Sequence, residues 1–203
     1  MYRLIYNFLP YILLSFAVVT FTACDDEEAP EEENVEEVIT TVILEFTPQG
    51  GGDAVTAQFR DPDGEGPDAP TVDNITLAAN TAYDLEISFL NELNPDDVED
   101  ISVEVAEEDE EHMIFFGWDS GLFTSPAGDG NFDARSDDET DVNYNDSDDN
   151  GNPLGLETSW TTGDTAEGEL RVVLKHQPGI KSATTDVTDG ETDIDVQFDL
   201  IIE

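Results

Sequence analysis

The sequence predicts a mainly β protein, an antiparallel β-sandwich of the immunoglobulin-like kind with one inserted acidic helix. Apolar residues alternate with polar ones in several short segments, and turn-forming residues separate those segments. Helical patterns are missing between successive strands, where a parallel α/β fold needs them. The 203 residues suit one domain of ordinary size once a targeting segment is set aside.

The charge of the chain is strongly one-sided. It carries 50 Asp and Glu residues against 6 Lys and Arg residues, a formal net charge of −44. Such a chain repels phosphates and anionic lipid head groups. The composition therefore excludes nucleic acid as a direct ligand.

The folded part begins with a predicted β-hairpin. In residues 38–46, Val42, Leu44 and Phe46 share one parity, and turn residues follow at 48–52. Alternation then resumes at residues 55–59. Further strands are predicted at 71–77, 83–89, 113–118, 156–161, 170–176 and 194–202, which makes seven or eight strands in all.

One segment follows helical spacing instead. Asn94 resembles a helix N-cap, and Pro95 suits the first helical position. Val98, Ile101 and Val105 follow at intervals of three and four residues. The pattern predicts one exposed acidic helix over residues 95–110.

The N-terminus carries the pattern of a lipoprotein signal peptide. Residues 1–23 contain no acid, and a short apolar run ends in small residues directly before Cys24, the single cysteine. The predicted organisation is a signal peptide at 1–23, an acidic tether at 24–37 and a β-sandwich domain at 38–203. Lipidation of Cys24 would anchor the protein in a bilayer. The alternatives are a plain secretory signal and a retained membrane helix.

Several segments resemble a known family. The acidic run 25–28 resembles the export signal of Bacteroidota lipoproteins, which implies an outer-membrane protein facing the medium. A second resemblance rests on seven segments spread across residues 40–202: 46–51, 77–83, 90–92, 110–112, 151–156, 174–178 and 191–196. They resemble small flavobacterial lipoproteins without an established activity, often labelled type 1 periplasmic binding fold superfamily proteins. That label implies two α/β lobes, whereas the alternation here predicts a sandwich.

The strongest motif for chemistry lies at residues 146–157. It fits the calcium-loop pattern, in which several oxygen ligands surround a tight turn. The predicted Ca²⁺ ligands are Asp146, Asp148, Asn150, Asn152 and Glu157. The alternative is a solvated acidic loop, because acids and amides are abundant there and no helices are predicted on either side.

The two histidines suggest a second metal site. Glu108 and His112 are four residues apart and share a face if the predicted helix extends to them. His176, at the end of a predicted strand, can complete a set of transition-metal ligands. The alternative is an acidic helix face whose histidine pairs with a nearby carboxylate.

Two function classes remain open. The first is a non-enzymatic, surface-anchored binding module that binds Ca²⁺ and presents a metal or small ligand to an outer-membrane uptake receptor. The second is a structural or adhesive sandwich in which Ca²⁺ only rigidifies a loop. No nucleophile elbow, phosphate loop or zinc-protease motif is found, so the sequence predicts no enzyme.

Overall fold

The computed structural model of the protein describes residues 37–64, 66–128 and 142–203. The predicted signal peptide, Cys24 and residues 24–36 of the tether lie outside the described residues. Within the described part, strands dominate and one short helix occurs, so the mainly β prediction is confirmed. In chain order the elements are β1 (Thr41–Pro48), β2 (Val55–Arg60), β3 (Thr71–Val72), β4 (Ile75–Leu77), β5 (Ala82–Asn91), β6 (Glu99–Asp100), α1 (Ile101–Glu107), β7 (His112–Trp118), β8 (Phe123–Ser125), β9 (Asn143–Tyr144), β10 (Glu157–Thr162), β11 (Ala166–His176) and β12 (Glu191–Ile202).

The strands form a β-sandwich of two sheets. The first sheet has eight strands with the order β3-β2-β1-β5-β10-β8, while β6 pairs with β5 and β9 pairs with β10. The second sheet has the order β4-β12-β11-β7. All pairs of strands are antiparallel except β4 with β12, which is the exception to the predicted antiparallel arrangement.

One apolar core lies between the sheets. Its residues come from both sheets because each strand turns alternate side chains inward. The alternation predicted for residues 42–46, 83–89 and 170–174 is found, and those inward residues are buried. The predicted hairpin is also confirmed, since β1 and β2 pair with Val42 opposite Phe59 and Phe46 opposite Val55.

Two strand predictions need correction. The strand predicted at 71–77 is two strands, and β3 joins the first sheet while β4 joins the second. The described residues contain twelve strands instead of seven or eight, because several are pairs or triplets of residues too short to show a period.

The helix is shorter than predicted and begins later. Asp100 is the N-cap, and its side chain accepts a hydrogen bond from the Ser102 N–H at 3.1 Å. Asn94 instead begins a turn closed by the Asp97 N–H at 3.0 Å. Residues 99 and 100 pair with β5 in an extended conformation, which prevents a helix from starting at residue 95. As predicted, Ile101 and Val105 face the core.

Candidate metal centre

The two histidines meet at one end of the second sheet. His112 begins β7 and His176 ends β11, and the antiparallel register places them directly opposite each other. Their rings stack with centroids 4.5 Å apart and planes inclined by 8°. Both residues are buried at the margin of the core. The strand register therefore brings together two side chains that are far apart in the sequence.

Glu108 lies beside this pair because α1 ends there. Glu108 is the C-cap residue, and its carbonyl oxygen accepts the His112 backbone N–H at 3.1 Å. The same oxygen is 3.3 Å from His112 Nδ1, and Glu108 Oε2 is 3.9 Å from that nitrogen. The predicted proximity is present, but a tight turn produces it, since α1 does not extend to His112.

Glu108, His112 and His176 form a cluster that can hold a metal ion. Each offers one ligand atom, and these atoms lie within 4.8 Å of one another. This is the one such group of three among the described residues. Unpartnered ring nitrogens strengthen the case, because His112 Nε2 and His176 Nδ1 are buried and have no hydrogen-bond partner in the described part of the chain.

The electrostatics keep His112 neutral. Burial, with a smaller contribution from the neighbouring His176, lowers the pKa of His112 to about 4. A neutral imidazole carries the lone pair that a metal ion needs. His112 is therefore able to bind a metal ion at neutral pH without losing a proton.

Two carboxylates that sequence reasoning missed face the rings. Glu111 Oε2 lies 3.2 Å from His176 Nε2, and Asp193 Oδ2 lies 3.9 Å from His112 Nε2. Glu111 precedes His112 in the sequence and offered a local signal. Asp193 offered none, because its place depends on the pairing of β12 with β11.

An acidic groove adjoins the cluster at Glu108. Its volume is about 480 Å³, and carboxylates and valines line it on the outer side of α1. Glu37, the first described residue, also lines it. Burial, together with Glu104, Asp193 and Glu108, raises the pKa of Glu37 to about 7. Carboxylates are therefore concentrated beside the histidines.

The predicted calcium loop is folded around two of its own carboxylates. Asp146 accepts the backbone N–H groups of Gly155 at 2.8 Å and Glu157 at 3.1 Å. Glu157 begins β10 and lies opposite Glu86 of β5. Asn150 donates its side-chain amide to Glu110 Oε1 at 2.9 Å. The Asp146 carboxylate, which the motif assigns as the first Ca²⁺ ligand, is thus already hydrogen-bonded to backbone N–H groups.

The Asp148 carboxylate accepts more hydrogen bonds than the Asp146 carboxylate does. Its carboxylate accepts the Asn150 N–H at 2.9 Å, and the backbone and side-chain N–H groups of Asn152 at 2.7 and 2.9 Å. Lys181 Nζ lies 3.4 Å from Asp148 Oδ2, and both side chains are almost fully buried. Lys181 also donates to the Asp109 carbonyl at 2.5 Å.

The pKa values of this pair reflect opposing effects. Burial alone raises the pKa of Asp148, but the Asn152 hydrogen bonds and the Lys181 charge outweigh it and lower the pKa. Burial lowers the pKa of Lys181, and the Asp148 charge opposes that shift. A lysine ammonium therefore lies against the central carboxylate of the loop, a contact that the sequence motif does not encode.

Fold and site together define a β-sandwich protein with a cluster of two histidines and one glutamate that can bind a metal. Comparisons with family models, with curated proteins and with solved structures give no match to the chain. Among the described residues, no helix is long and apolar enough to cross a membrane.

Proposed function

We propose that this protein is a non-enzymatic metal-binding module that holds a borderline divalent ion such as Zn²⁺ at Glu108, His112 and His176. The observation that carries the proposal is the pair of buried, stacked imidazoles with unpartnered ring nitrogens beside a carboxylate. Buried polar atoms normally have hydrogen-bond partners, so two such atoms in one place indicate a ligand.

The ligand types favour a transition metal over Ca²⁺ at this cluster. Imidazole nitrogen suits Zn²⁺, Cu²⁺ and Ni²⁺, whereas Ca²⁺ and Mg²⁺ take oxygen ligands. The low pKa of His112 supports the proposal because binding need not displace a proton from that ring at neutral pH.

Binding requires a rotation of the rings. Parallel stacked rings direct their in-plane lone pairs side by side, so one ion cannot bind both in that orientation. The χ2 torsion of histidine is broad, which makes a modest ring rotation inexpensive. The half-exposed Glu108 side chain can follow the ion because its end lies on the groove.

Surface anchoring completes the proposal. We propose that lipidated Cys24 holds the domain on the outer membrane, where the acidic tether keeps it away from the bilayer and available to an uptake receptor. Cys24→Ser should release the protein or leave it unprocessed. Surface proteolysis of intact cells that never cleaves the wild type would contradict the outward orientation.

The Ca²⁺ prediction for residues 146–157 supports a second candidate, a structural or adhesive sandwich. The observation in its favour is the buried Lys181–Asp148 pair, which ties the loop to the turn before β7. In that case the internal pair already rigidifies the loop, and Ca²⁺ could add to this only by displacing Lys181 from Asp148.

A calorimetric titration with Zn²⁺ tests the metal-binding proposal. The full chain should be titrated in excess Ca²⁺, which occupies non-specific carboxylate sites. We expect saturable binding of one Zn²⁺ ion, and at least a tenfold weaker affinity in His112→Asn and His176→Asn. Glu107→Gln is the matched control, because Glu107 lines the groove but is outside the cluster. Zn²⁺ binding that is unchanged in both histidine variants would refute the proposal.

A further inference from the structure

We infer that Asp193 is a ligand of the proposed metal ion, and that His112 binds this ion through Nε2, the nitrogen that faces Asp193. The inference rests on the proposed function and deepens it, because it adds a buried ligand and assigns the ligating atom of His112. A structural Zn²⁺ site is almost always four-coordinate, so three protein ligands leave one position to fill. Asp193 adds a fourth ligand to the cluster of Glu108, His112 and His176.

The turn after α1 determines the tautomer of His112. The Glu108 carbonyl oxygen lies 3.3 Å from His112 Nδ1 and can only accept a hydrogen bond. In a neutral ring the proton is therefore on Nδ1 and the lone pair is on Nε2. His112 Nε2 is buried and has no hydrogen-bond partner in the described part of the chain. A buried acceptor without a donor is costly, and a cation bound to the lone pair would remove that cost.

Asp193 places a second acceptor in front of this lone pair. Its Oδ2 lies 3.9 Å from His112 Nε2, and both side chains are fully inaccessible. That separation is too long for a hydrogen bond, but an ion at about 2.0–2.2 Å from each atom can span it. At a tetrahedral angle the two ligand atoms would be roughly 3.4 Å apart, which requires a movement of only about 0.5 Å. The distance therefore fits two ligands of one metal ion.

A β-bulge is the reason Asp193 is there. In the pairing of β11 with β12, Leu174 is opposite Ile194 and Lys175 is opposite Thr192, so Asp193 is the extra residue of β12. Bulges redirect a side chain and are frequent beside functional sites. Here the extra residue directs a carboxylate toward the imidazole ring at the start of β7.

The buried Lys175 near Asp193 is compatible with a metal ligand. Burial lowers the pKa of Lys175, and the charge of Asp193 is the largest effect that opposes this shift. A carboxylate has two oxygens with about four lone-pair sites, so it can face a lysine and bind a metal at the same time. Lys175 Nζ also donates a hydrogen bond to Thr192 Oγ1 at 2.8 Å, so part of its donor capacity is used there.

His176 and Glu108 have different places in this set. Glu111 Oε2 lies 3.2 Å from His176 Nε2, so a neutral ring has its proton on Nε2 and the buried Nδ1 is left to bind the ion. Glu108 Oε2 lies 3.9 Å from His112 Nδ1, the nitrogen that does not bind the ion. The half-exposed Glu108 side chain has to turn past the ring to reach the ion. Glu108 should therefore be the weakest of the four ligands.

The ligating atom of His112 can be identified directly by NMR. Long-range ¹H–¹⁵N spectra of the imidazoles should be recorded on the full chain with and without Zn²⁺. We expect a protonated Nδ1 and a Zn²⁺-shifted Nε2 in His112. Coordination of His112 through Nδ1 would overturn the inference and leave the proposed function intact. Imidazole signals that do not respond to Zn²⁺ would refute the proposed function itself.

A substitution tests Asp193 as a ligand. Asp193→Asn should weaken Zn²⁺ binding by at least about tenfold, the loss that removal of an outer-shell partner already causes, and by more than Glu108→Gln does. Asp199→Asn is the matched control, because it makes the same change at an exposed position of the same strand. Glu37→Gln controls for the loss of a charge that interacts with Asp193. An affinity of Asp193→Asn equal to those of the two controls would overturn the inference.

The wild-type protein provides a test that does not depend on the folding of a variant. Carboxyl ¹³C spectra should be recorded in excess Ca²⁺ before and after addition of stoichiometric Zn²⁺. The Asp193 signal should shift, whereas the signal of the exposed Asp199 should not. An unchanged Asp193 signal in a sample whose histidine signals respond to Zn²⁺ would overturn the inference.

Discussion

Two acidic regions of this protein differ in the groups that lie against their carboxylates. At the 146–157 loop the chain provides its own cation, since the Lys181 ammonium lies against Asp148 and backbone N–H groups bind Asp146. At the histidine cluster the nearby acids surround a neutral His112 ring, and two buried ring nitrogens are unpartnered among the described residues.

The difference shows that a motif is a weaker guide to a cation site than the balance of charge around it. The loop matches a calcium pattern, yet the carboxylates of Asp146 and Asp148 already have hydrogen-bond donors. The histidine cluster matches no short motif, yet it retains unused ligand atoms. With only 6 basic residues in the chain, the location of each one helps decide where an external cation can bind.

The largest expected effect on stability comes from removing Lys181, the cation that the chain itself provides to the loop. Lys181→Met leaves the Asp148 carboxylate buried without its counter-charge, and breaking one partner of a buried pair lowers the free energy of unfolding by about 3–5 kcal/mol. Urea denaturation measures this change.

An exposed pair is the matched control. Arg60 and Glu92 form an ion pair at 2.8 Å in which the Arg60 side chain is half-exposed. Arg60→Met should therefore cost only about 0–1 kcal/mol. The double variant Lys181→Met/Asp148→Asn should recover part of the lost stability. Equal costs for Lys181→Met and Arg60→Met would show that Lys181 does not act as the cation of the loop.

Acidification should destabilise the histidine cluster. His112 has a pKa of about 4 in the folded state, compared with the ordinary value of 6.5. Between pH 6.5 and pH 4 the imidazole therefore binds a proton in the unfolded state but stays neutral in the folded state. The free energy of unfolding should fall from pH 6.5 to pH 4, by about 3 kcal/mol in total. Denaturation at several pH values, compared with His112→Gln, isolates this effect.

The titration of Glu37 changes the free energy of unfolding in the opposite direction, so its contribution has to be eliminated by substitution. Its pKa of about 7 lies above the ordinary 4.5, so the folded state retains a proton between those values and loses stability as the pH rises through them. The comparison should therefore be made in a Glu37→Gln background. A pH profile of that background identical with and without His112 would contradict the buried, neutral ring.

Cation addition gives a smaller effect that compares the loop with and without its lysine. Ca²⁺ at the loop would have to displace Lys181, so Lys181→Met should respond more strongly than the wild type. At tenfold excess over Kd, binding adds about 1.4 kcal/mol to the free energy of unfolding. Melting curves in increasing Ca²⁺ measure it, with Lys181→Met/Glu157→Ala as control. Equal and non-saturating responses in all three proteins would indicate general screening of the carboxylates.

The sandwich was predictable because side-chain direction in a strand is a local property. Alternation at residues 83–89 and 170–174 is enough to define inward faces. The site depends on non-local facts instead: the register that places His112 opposite His176, and the bulge that redirects Asp193. The contact between Lys181 and Asp148 has no local signal either, since it joins two loops.

The smallest expected effect concerns the helix that carries Glu108 to the histidines. The sequence pattern indicates Asn94 as the N-cap, whereas the structure uses Asp100. Asp100→Ala should lower the free energy of unfolding by about 1 kcal/mol, because the Ser102 N–H loses its acceptor. Asn94→Ala should change it by less than about 0.5 kcal/mol, since its side chain accepts only a long 3.3 Å bond from the Asp96 N–H in an exposed turn. Urea denaturation of both variants ranks the two caps. Hydrogen exchange at the α1 amides then shows whether fraying extends to Glu108, in which case Zn²⁺ affinity should fall in Asp100→Ala alone. A larger loss in Asn94→Ala would mean that the helix begins where its sequence pattern does, and that Glu108 is held by a longer helix than Ile101–Glu107.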